Sequence, residues 1–374
     1  MPTFVKYLNN IVLTLQPAAD SAYHDVDVSL YGVSSDAKGI VVRAISAANG
    51  QDIGMRDTLD TNDRLNRLNT NFYAEAAISL NGGSTISLLR ESTSVVFQVA
   101  GEFQDDCVLY STAKRIPIVE AQFASWILRQ PVPQGTDALS DIKAVIVSSP
   151  YNDAGADGVM GIRQNGSSMS TFDSHRTGDN MWYIVGVDDD GYYQVYSTGD
   201  GGTDDEHSVF LEVGYVLNAS NIITILNPVD LALADTSGAY AELDLSASVP
   251  KHTITAGICF KNSSVAGGAA GHLMGFVRAA GSSQSVTYTE VGKGRSMTTS
   301  CTLNTARKAE YVNEDATGDV DTFLLWYERG MPSSVVTKPF AGPATGAAAF
   351  SGSATGAVAK MTQSCGGIAH MGSG

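Results

Sequence analysis

The densest cluster of reactive side chains is a group of carboxylates in the middle of the chain. Asp188-Asp189-Asp190 is followed by Asp200 and by Asp204-Asp205-Glu206. Carboxylate oxygens are ligands for Ca²⁺, which takes about six to eight of them at defined offsets, but the spacing of an EF-hand loop is missing here. We therefore predict a tight turn with solvated carboxylates and no metal site.

The spacing of histidines and cysteines does not indicate a catalytic or metal centre either. The histidines are isolated from one another, and the cysteines lack the short paired spacings of a zinc site. We expect the thiols of Cys107, Cys259 and Cys301 to be buried, because free cysteine behaves as a small apolar residue. Cys365 lies in a different kind of segment and is available for a bond to another subunit.

Local enzyme motifs are missing as well. The chain has no Gly-x-Ser-x-Gly elbow, no phosphate-binding loop and no dinucleotide fingerprint after a predicted strand. A pair of glycosidase carboxylates comes from distant strands and leaves no local spacing, so a polysaccharide-degrading enzyme stays open as a second alternative. Our main expectation is a protein without catalytic activity and without a cofactor.

Aromatic side chains offer one candidate binding surface. Tyr192, Tyr193 and Tyr196 follow Trp182-Tyr183 closely in the sequence. In a strand, alternate residues share a face, so Tyr192 and Tyr196 lie on one side and Tyr193 on the other. Because one of these faces must be core, Tyr192 and Tyr196 are the candidate contacts for a glycan.

The elements that position these residues are short strands. Alternating apolar residues are bounded by turn residues throughout, and Asn81-Gly82 and Asp190-Gly191 predict hairpins between neighbouring strands. Short helices are predicted only at residues 118–130 and 229–241, between units. Antiparallel strands without an alternating helix pattern indicate β-sandwiches, of either jelly-roll or immunoglobulin-like topology.

The same unit is predicted to occur three times. Phe97, Phe210 and Phe323 each open an apolar strand at an equal interval, since 210 − 97 = 113 and 323 − 210 = 113. Further landmarks keep a similar order: Val28, Val145 and Ile258 in strands, and then Arg43, Arg163 and Arg278. The predicted domains are residues 1–113, 114–226 and 227–340, each within the usual size of a domain.

Composition limits the possible partners. The net charge is −16, which disfavours binding to nucleic acid or to an anionic membrane surface. No apolar run is long enough to insert into a membrane, and the first residues do not resemble a secretory signal. We expect a protein made in the cytoplasm.

Residues 341–374 differ in composition from the rest. This segment contains 9 Ala and 8 Gly, too few large side chains for a core of its own. We predict an extended assembly arm that is ordered against another subunit of a homo-oligomer. Its expected anchors are the larger side chains and the cysteine: Phe350, Val358, Met361, Cys365, Ile368 and Met371.

Taken together, the tandem β-sandwich units, the acidic composition and the small-residue arm resemble accessory structural proteins of tailed bacteriophage virions. The resemblance implies a capsid decoration, neck, tail or fibre component that is located in the virion and contacts other virion proteins. A carbohydrate- or receptor-binding adhesin, with a host surface glycan as its partner, is the first alternative.

Overall fold

A computed structural model describes the chain at residues 2–61, 65–68, 73–80, 83–116, 125–149, 160–169, 181–197, 210–262, 272–283, 289–291, 296–313 and 320–330. All of these residues belong to one compact unit, 1–342. The predicted arm, 341–374, lies outside the described residues.

The described residues form strands and two single 3-10 turns, Val28–Tyr31 and Leu139–Asp141. Module 1 contains the strands β1 (Phe4–Val12), β2 (Tyr23–Asp27), β3 (Gly39–Ser46), β4 (Gln51–Asp57), β5 (Leu65–Leu68), β6 (Tyr73–Ser79), β7 (Thr85–Arg90) and β8 (Val95–Phe103). Module 2 contains β9 (Cys107–Arg115), β10 (Ile127–Arg129), β11 (Ile142–Ser149), β12 (Met160–Gln164), β13 (Met181–Gly186), β14 (Tyr193–Ser197) and β15 (Leu211–Leu217). Module 3 contains β16 (Ile222–Asp230), β17 (Ala241–Asp244), β18 (Thr253–Asn262), β19 (His272–Ala279), β20 (Thr289–Val291), β21 (Ser296–Thr302), β22 (Lys308–Asn313) and β23 (Val320–Arg329).

Each module is a sandwich of two antiparallel sheets with one strand order. In module 1 the first strand pairs with the eighth, the second with the seventh, the third with the sixth and the fourth with the fifth. Module 3 repeats these four pairings, and the seven described strands of module 2 repeat three of them. This nested pairing is the topology of a jelly roll. The all-β prediction is therefore confirmed, and of the two topologies left open by the sequence the structure has the jelly roll.

The two sheets of each module have different surroundings. The inner sheets are β1-β8-β3-β6, β9-β15-β11-β13 and β16-β23-β18-β21. The outer sheets are β2-β7-β4-β5, β10-β14-β12 and β17-β22-β19-β20. The strands β9 and β16 lie across the predicted domain boundaries at residues 113 and 226, and those boundaries stay a prediction.

All three inner sheets turn one face toward a shared core. Phe4, Phe103, Trp182 and Trp326 form its centre, with ring centroids 4.9 Å apart for the two phenylalanines and 6.1 Å apart for the two tryptophans. One residue in the last strand of each inner sheet is bulged, and it points into this core: Ala100, Val213 and Leu325. A β-bulge re-aims a side chain, and here it adds an apolar residue to the contact between modules.

The modules contact one another in a closed cycle. In the first strand of each inner sheet, four consecutive residues are not paired with the neighbouring strand: 7–10, 110–113 and 225–228. In module 1, Asn9 Oδ1 accepts a hydrogen bond of 2.7 Å from Ser282 of module 3. In module 3, Asn227 Oδ1 accepts one of 2.9 Å from the Ser168 backbone N–H of module 2. In module 2, Thr112 donates one of 3.3 Å to the Leu59 carbonyl of module 1. Each module therefore binds the segment that follows the fourth strand of its neighbour, and the cycle closes within one chain.

Three strands, β6, β13 and β21, meet where the inner sheets converge. Their equivalent residues by sheet register are Glu75, Trp182 and Thr298. Trp182 Nε1 donates to Glu75 Oε2 at 3.3 Å, and Thr298 Oγ1 donates to the Trp182 carbonyl at 2.7 Å. Trp182 is thus hydrogen-bonded to both of the other equivalent positions, and the three positions carry three different side chains.

A buried ionic cluster lies at this point on module 1. Arg43 Nε donates to Glu75 Oε1 at 2.9 Å, and Lys6 Nζ lies 3.6 Å from the same oxygen. Burial alone would raise the pKa of Glu75, but Arg43 and Lys6 hold it below its usual value. Burial also lowers the pKa of Lys6 to about 8, although Glu75 opposes the shift.

Two details of the predicted secondary structure are wrong. The turn at Asp188–Gly191 lies where the sequence places it, whereas Asn81-Gly82 lies outside the described residues. The strands β6 and β7 belong to different sheets, as do β13 and β14, so neither pair forms the predicted hairpin. The described parts of residues 118–130 and 229–241 contain strands and irregular chain, not helix. The hairpin error arises because periodicity identifies a strand without identifying its partner. The helix error arises because a short apolar run fits a helix and a strand equally well.

The predicted equivalence of the three phenylalanines is also wrong for one of them. Phe97 and Phe210 are buried and accept matching hydrogen bonds from Leu13 and Ile116. The matching bond in module 3 goes to Thr322, so Phe323 is one residue out of register and lies half-buried on the opposite face. The bulged residues, at 100, 213 and 325, are separated by 113 and then by 112 residues.

Candidate binding face on the outer sheet of module 2

An arginine stacks on an aromatic ring at the same place on every outer sheet. The distances from the guanidinium carbon to the ring centroid are 3.6 Å for Arg56 on Tyr23, 3.8 Å for Arg163 on Trp126 and 3.3 Å for Arg278 on Tyr240. Each arginine lies on the fourth strand of its module, and each aromatic residue begins or immediately precedes the second strand. Stacks of this kind stabilise a partly exposed surface by roughly 0.5–1 kcal/mol.

In module 2 a second aromatic ring joins the stack. Tyr196 lies on the central strand β14, with its ring centroid 5.4 Å from that of Trp126 and an angle of 43° between the planes. A Cβ added to Gly161 would lie 2.9 Å from Trp126 Cη2, so the glycine is needed for the indole to lie close to the sheet. Trp126 and Tyr196 are both half-buried. They form the aromatic part of the candidate binding face, which also contains Arg163 and Gln194.

Arg163 supplies the charge of this face. Its Nε donates to Gln194 Oε1 at 2.7 Å, and its Nη1 donates to the Met169 carbonyl at 2.8 Å. Partial burial lowers the pKa of Arg163, but a guanidinium stays protonated near neutral pH. Both of these acceptors are neutral, so the positive charge is held in place without being neutralised by them.

The predicted glycan contacts are placed differently by the structure. Tyr196 is part of the candidate face, whereas Tyr192 precedes β14 and donates its backbone N–H to Asp188 Oδ1 at 2.7 Å in the turn. Tyr193 is buried in the sandwich core, as strand alternation requires. The predicted anchors of the arm, Phe350, Val358, Met361, Cys365, Ile368 and Met371, lie outside the described residues.

Of the other reactive side chains that the sequence draws attention to, Asp188 and three cysteines are described by the structure, whereas Asp200, Asp204, Asp205 and Glu206 lie outside the described residues. Asp188 closes its turn: partial burial would raise its pKa, but hydrogen bonds from Asn165 and from backbone N–H groups hold that pKa below its usual value. The thiols of Cys107, Cys259 and Cys301 are buried, and burial raises the pKa of each well above its usual value. Within the described ranges, no three acidic, histidine or cysteine side chains group as metal ligands.

A short sequence pattern marks this face, although the spacing of 113 residues does not reveal it. Gly54-Met55-Arg56 and Gly161-Ile162-Arg163 share a Gly-x-Arg pattern on the fourth strand, with an aromatic residue on the second strand of the same module. The landmark Arg43 belongs instead to the inner sheet, and Arg56 is the residue that matches Arg163 and Arg278. Val28 likewise lies in a 3-10 turn. The strand of module 1 that corresponds to the strands of Val145 and Ile258 is β3.

No protein-family model matches this chain, and no curated protein matches it. Among solved structures, one similarity is to a chain in the X-ray structure of the entire lipid-containing bacteriophage PM2. The match covers 84% of this chain and 99% of that chain, at 10% sequence identity and with a TM-score of 0.14. A TM-score of that size carries no argument about fold or function. In the described part of the chain, no helix has the length and apolarity to cross a membrane.

Proposed function

We propose that this protein is a non-enzymatic structural subunit of a phage virion and acts through assembly with further copies of itself and with other virion proteins. The observation that carries the proposal is the closed cycle of three jelly rolls within one chain. Its finer position, as a capsid decoration, neck, tail or fibre component, belongs to the same proposal.

The cycle gives one chain the symmetry of a small trimer. Three similar modules face one another through their inner sheets and direct their outer sheets away. Such a unit presents similar surfaces in three directions, which suits repeated contacts with equivalent neighbours in a lattice or spike. Jelly rolls are common in viral capsid proteins, and also in lectins and cupins, so the fold class supports the proposal by analogy.

The arm at 341–374 is proposed to complete the assembly. Ordering a Gly-rich segment costs roughly 1–2 kcal/mol for each residue, and its small side chains recover little of this within one chain. Contacts with a second copy would supply the missing apolar area. Phe350, Met361, Ile368 and Met371 are the largest apolar side chains available for it.

The proposal is tested by light scattering and electron microscopy of two purified proteins, the full chain and a chain that ends at residue 340. We expect the full chain to form a defined oligomer and the shorter chain to stay a folded monomer. A full chain that remains monomeric at every concentration would contradict the assembly role. Oligomers of unchanged size and stability in the shorter chain would contradict the arm.

An adhesin is the second candidate, and the paired rings of Trp126 and Tyr196 favour it. Aromatic side chains with one exposed face are the usual means by which β-sandwich modules hold sugars. A glycan array with the full chain tests this candidate separately from assembly.

A further inference from the structure

We propose that the candidate binding face of module 2 binds a carboxylated sugar. Trp126 and Tyr196 would contact the sugar ring, and Arg163 would pair with the carboxylate. This inference does not rest on the virion role, since a subunit can assemble with or without a sugar-binding face.

The ring contact follows from the geometry of the two aromatic side chains. Their planes are inclined by 43° with centroids 5.4 Å apart, so the two half-buried rings adjoin on the sheet beside the guanidinium of Arg163. A pyranose carries C–H groups on its ring faces, and burying them against aromatic carbon is favourable. The equivalents of Tyr196 in register are Leu89 in module 1 and Val312 in module 3, so the ring pair is specific to module 2.

The choice of an acidic sugar follows from a comparison between modules 2 and 3. In register, Gln194 faces Arg163 in module 2 and Glu310 faces Arg278 in module 3. Arg278 Nε donates to Glu310 Oε2 at 2.6 Å, so module 3 provides its own carboxylate. In module 2 the corresponding acceptor is a neutral amide. A carboxylate from a ligand would restore the pairing that module 3 makes internally.

Charge complementarity favours a carboxylated ligand at Arg163. Arginine pairs with a carboxylate through two parallel hydrogen bonds, and such bonds are about twice as strong as those between neutral groups. The chain as a whole carries a net charge of −16, so most anions are repelled at long range. A ligand with one carboxylate and a large neutral sugar surface avoids most of that repulsion.

The test uses the full chain and tryptophan fluorescence. Trp126 is half-buried, whereas Trp182 and Trp326 are only 3% exposed, so quenching by a bound sugar reports mainly on Trp126. The probes are galacturonic acid and 3′-sialyllactose, which carry one carboxylate each, and each is compared with its methyl ester, which keeps the sugar and removes the charge. We expect at least one acid to bind about tenfold more tightly than its ester.

Two substitutions separate the charge from the fold. Arg163→Gln is expected to remove the preference for the acid while binding of the ester is kept. Gln194→Glu places a carboxylate where module 3 has one, and it is expected to abolish binding of the acid. Arg278→Gln in module 3 is the matched control and should change neither probe. Absence of binding by both acids at millimolar concentration, equal binding of acid and ester, or an unchanged preference in Arg163→Gln would overturn the proposal.

Discussion

Equivalent positions of the three modules carry different side chains where the inner sheets meet, but similar side chains on the outer sheets. At the centre, the equivalent residues Glu75, Trp182 and Thr298 are all different, and Trp182 is hydrogen-bonded to both of the others. On the outer sheets, each arginine stacks on an aromatic ring of its own module, and this stack recurs three times. Positions that meet at the centre are therefore coupled, whereas equivalent positions on the outside are independent.

The largest expected difference in stability is between the buried ion pair of Glu75 with Arg43 and the partly buried ion pair of Glu310 with Arg278. Glu75→Ala removes the buried carboxylate that Arg43 and Lys6 share, and we expect a loss of about 3–5 kcal/mol in the free energy of unfolding. Glu310→Ala removes the partner of Arg278 on an outer sheet, and we expect a loss of roughly 0.5 kcal/mol. Urea unfolding measures both. Glu75→Gln, which keeps an acceptor for Trp182, should fall between them, and equal losses for Glu75→Ala and Glu310→Ala would contradict the comparison.

The register of the inner sheets predicts unequal effects at the three phenylalanines. Phe97→Ala and Phe210→Ala remove fully buried rings from sandwich cores, and each should cost about 3–5 kcal/mol. Phe323 is half-buried at the shared core, so Phe323→Ala should cost less, roughly 1–2 kcal/mol. Thermal and urea unfolding give the three values. A loss of stability at Phe323 as large as at the other two would contradict the observed register. It would indicate that the three phenylalanines are equivalent, as their equal spacing in the sequence suggests.

Glu328 makes the contact between modules sensitive to pH. Its carboxylate accepts backbone hydrogen bonds from Thr3 and Phe4, but burial raises its pKa from 4.5 to about 8. Between these two values the folded chain keeps a proton that the unfolded chain loses, so this residue lowers stability as the pH rises from 4.5 to about 8. Glu328→Gln keeps a carbonyl acceptor and should remove that part of the pH dependence. Unfolding measured across the window would contradict this if the two proteins lost stability in parallel.

The smallest expected effects are those of the outer stacks. Arg56→Gln should reduce stability by about 0.5–1 kcal/mol, and Arg278→Gln, which also loses the pair with Glu310, by about 1–1.5 kcal/mol. The double variant should lose the sum, because the sites share no partner in the described structure. Urea unfolding of the three proteins tests this. A clear departure from the sum would show that the outer sheets are coupled, as the inner sheets are.

Much of the fold could be predicted from alternation and spacing, but the contacts between modules could not. Short strands bounded by turns indicated sandwiches, and the interval between Phe97 and Phe210 reproduces the observed register. The same interval fails at Phe323 because a shift of one residue moves a side chain to the other face of a sheet, and spacing alone does not reveal the shift. Of the candidate face, the sequence predicted Tyr196. Trp126 was assigned to a helix, since the partner strand that places it beside Tyr196 is far away in the chain.

The closed cycle of modules is tested most directly by a disulfide between modules 1 and 3. Asn9 and Ser282 are separated by 273 positions in the sequence, yet their side chains are in hydrogen-bond contact at 2.7 Å. The measurement is made on Asn9→Cys/Ser282→Cys with Cys365→Ser, after mild oxidation, by electrophoresis without reductant and by mass spectrometry of the linked peptide. The cycle predicts an intramolecular bond in a monomeric band, which neither single-cysteine variant forms. Disulfides found only between chains, or no bond between these two positions, would contradict it.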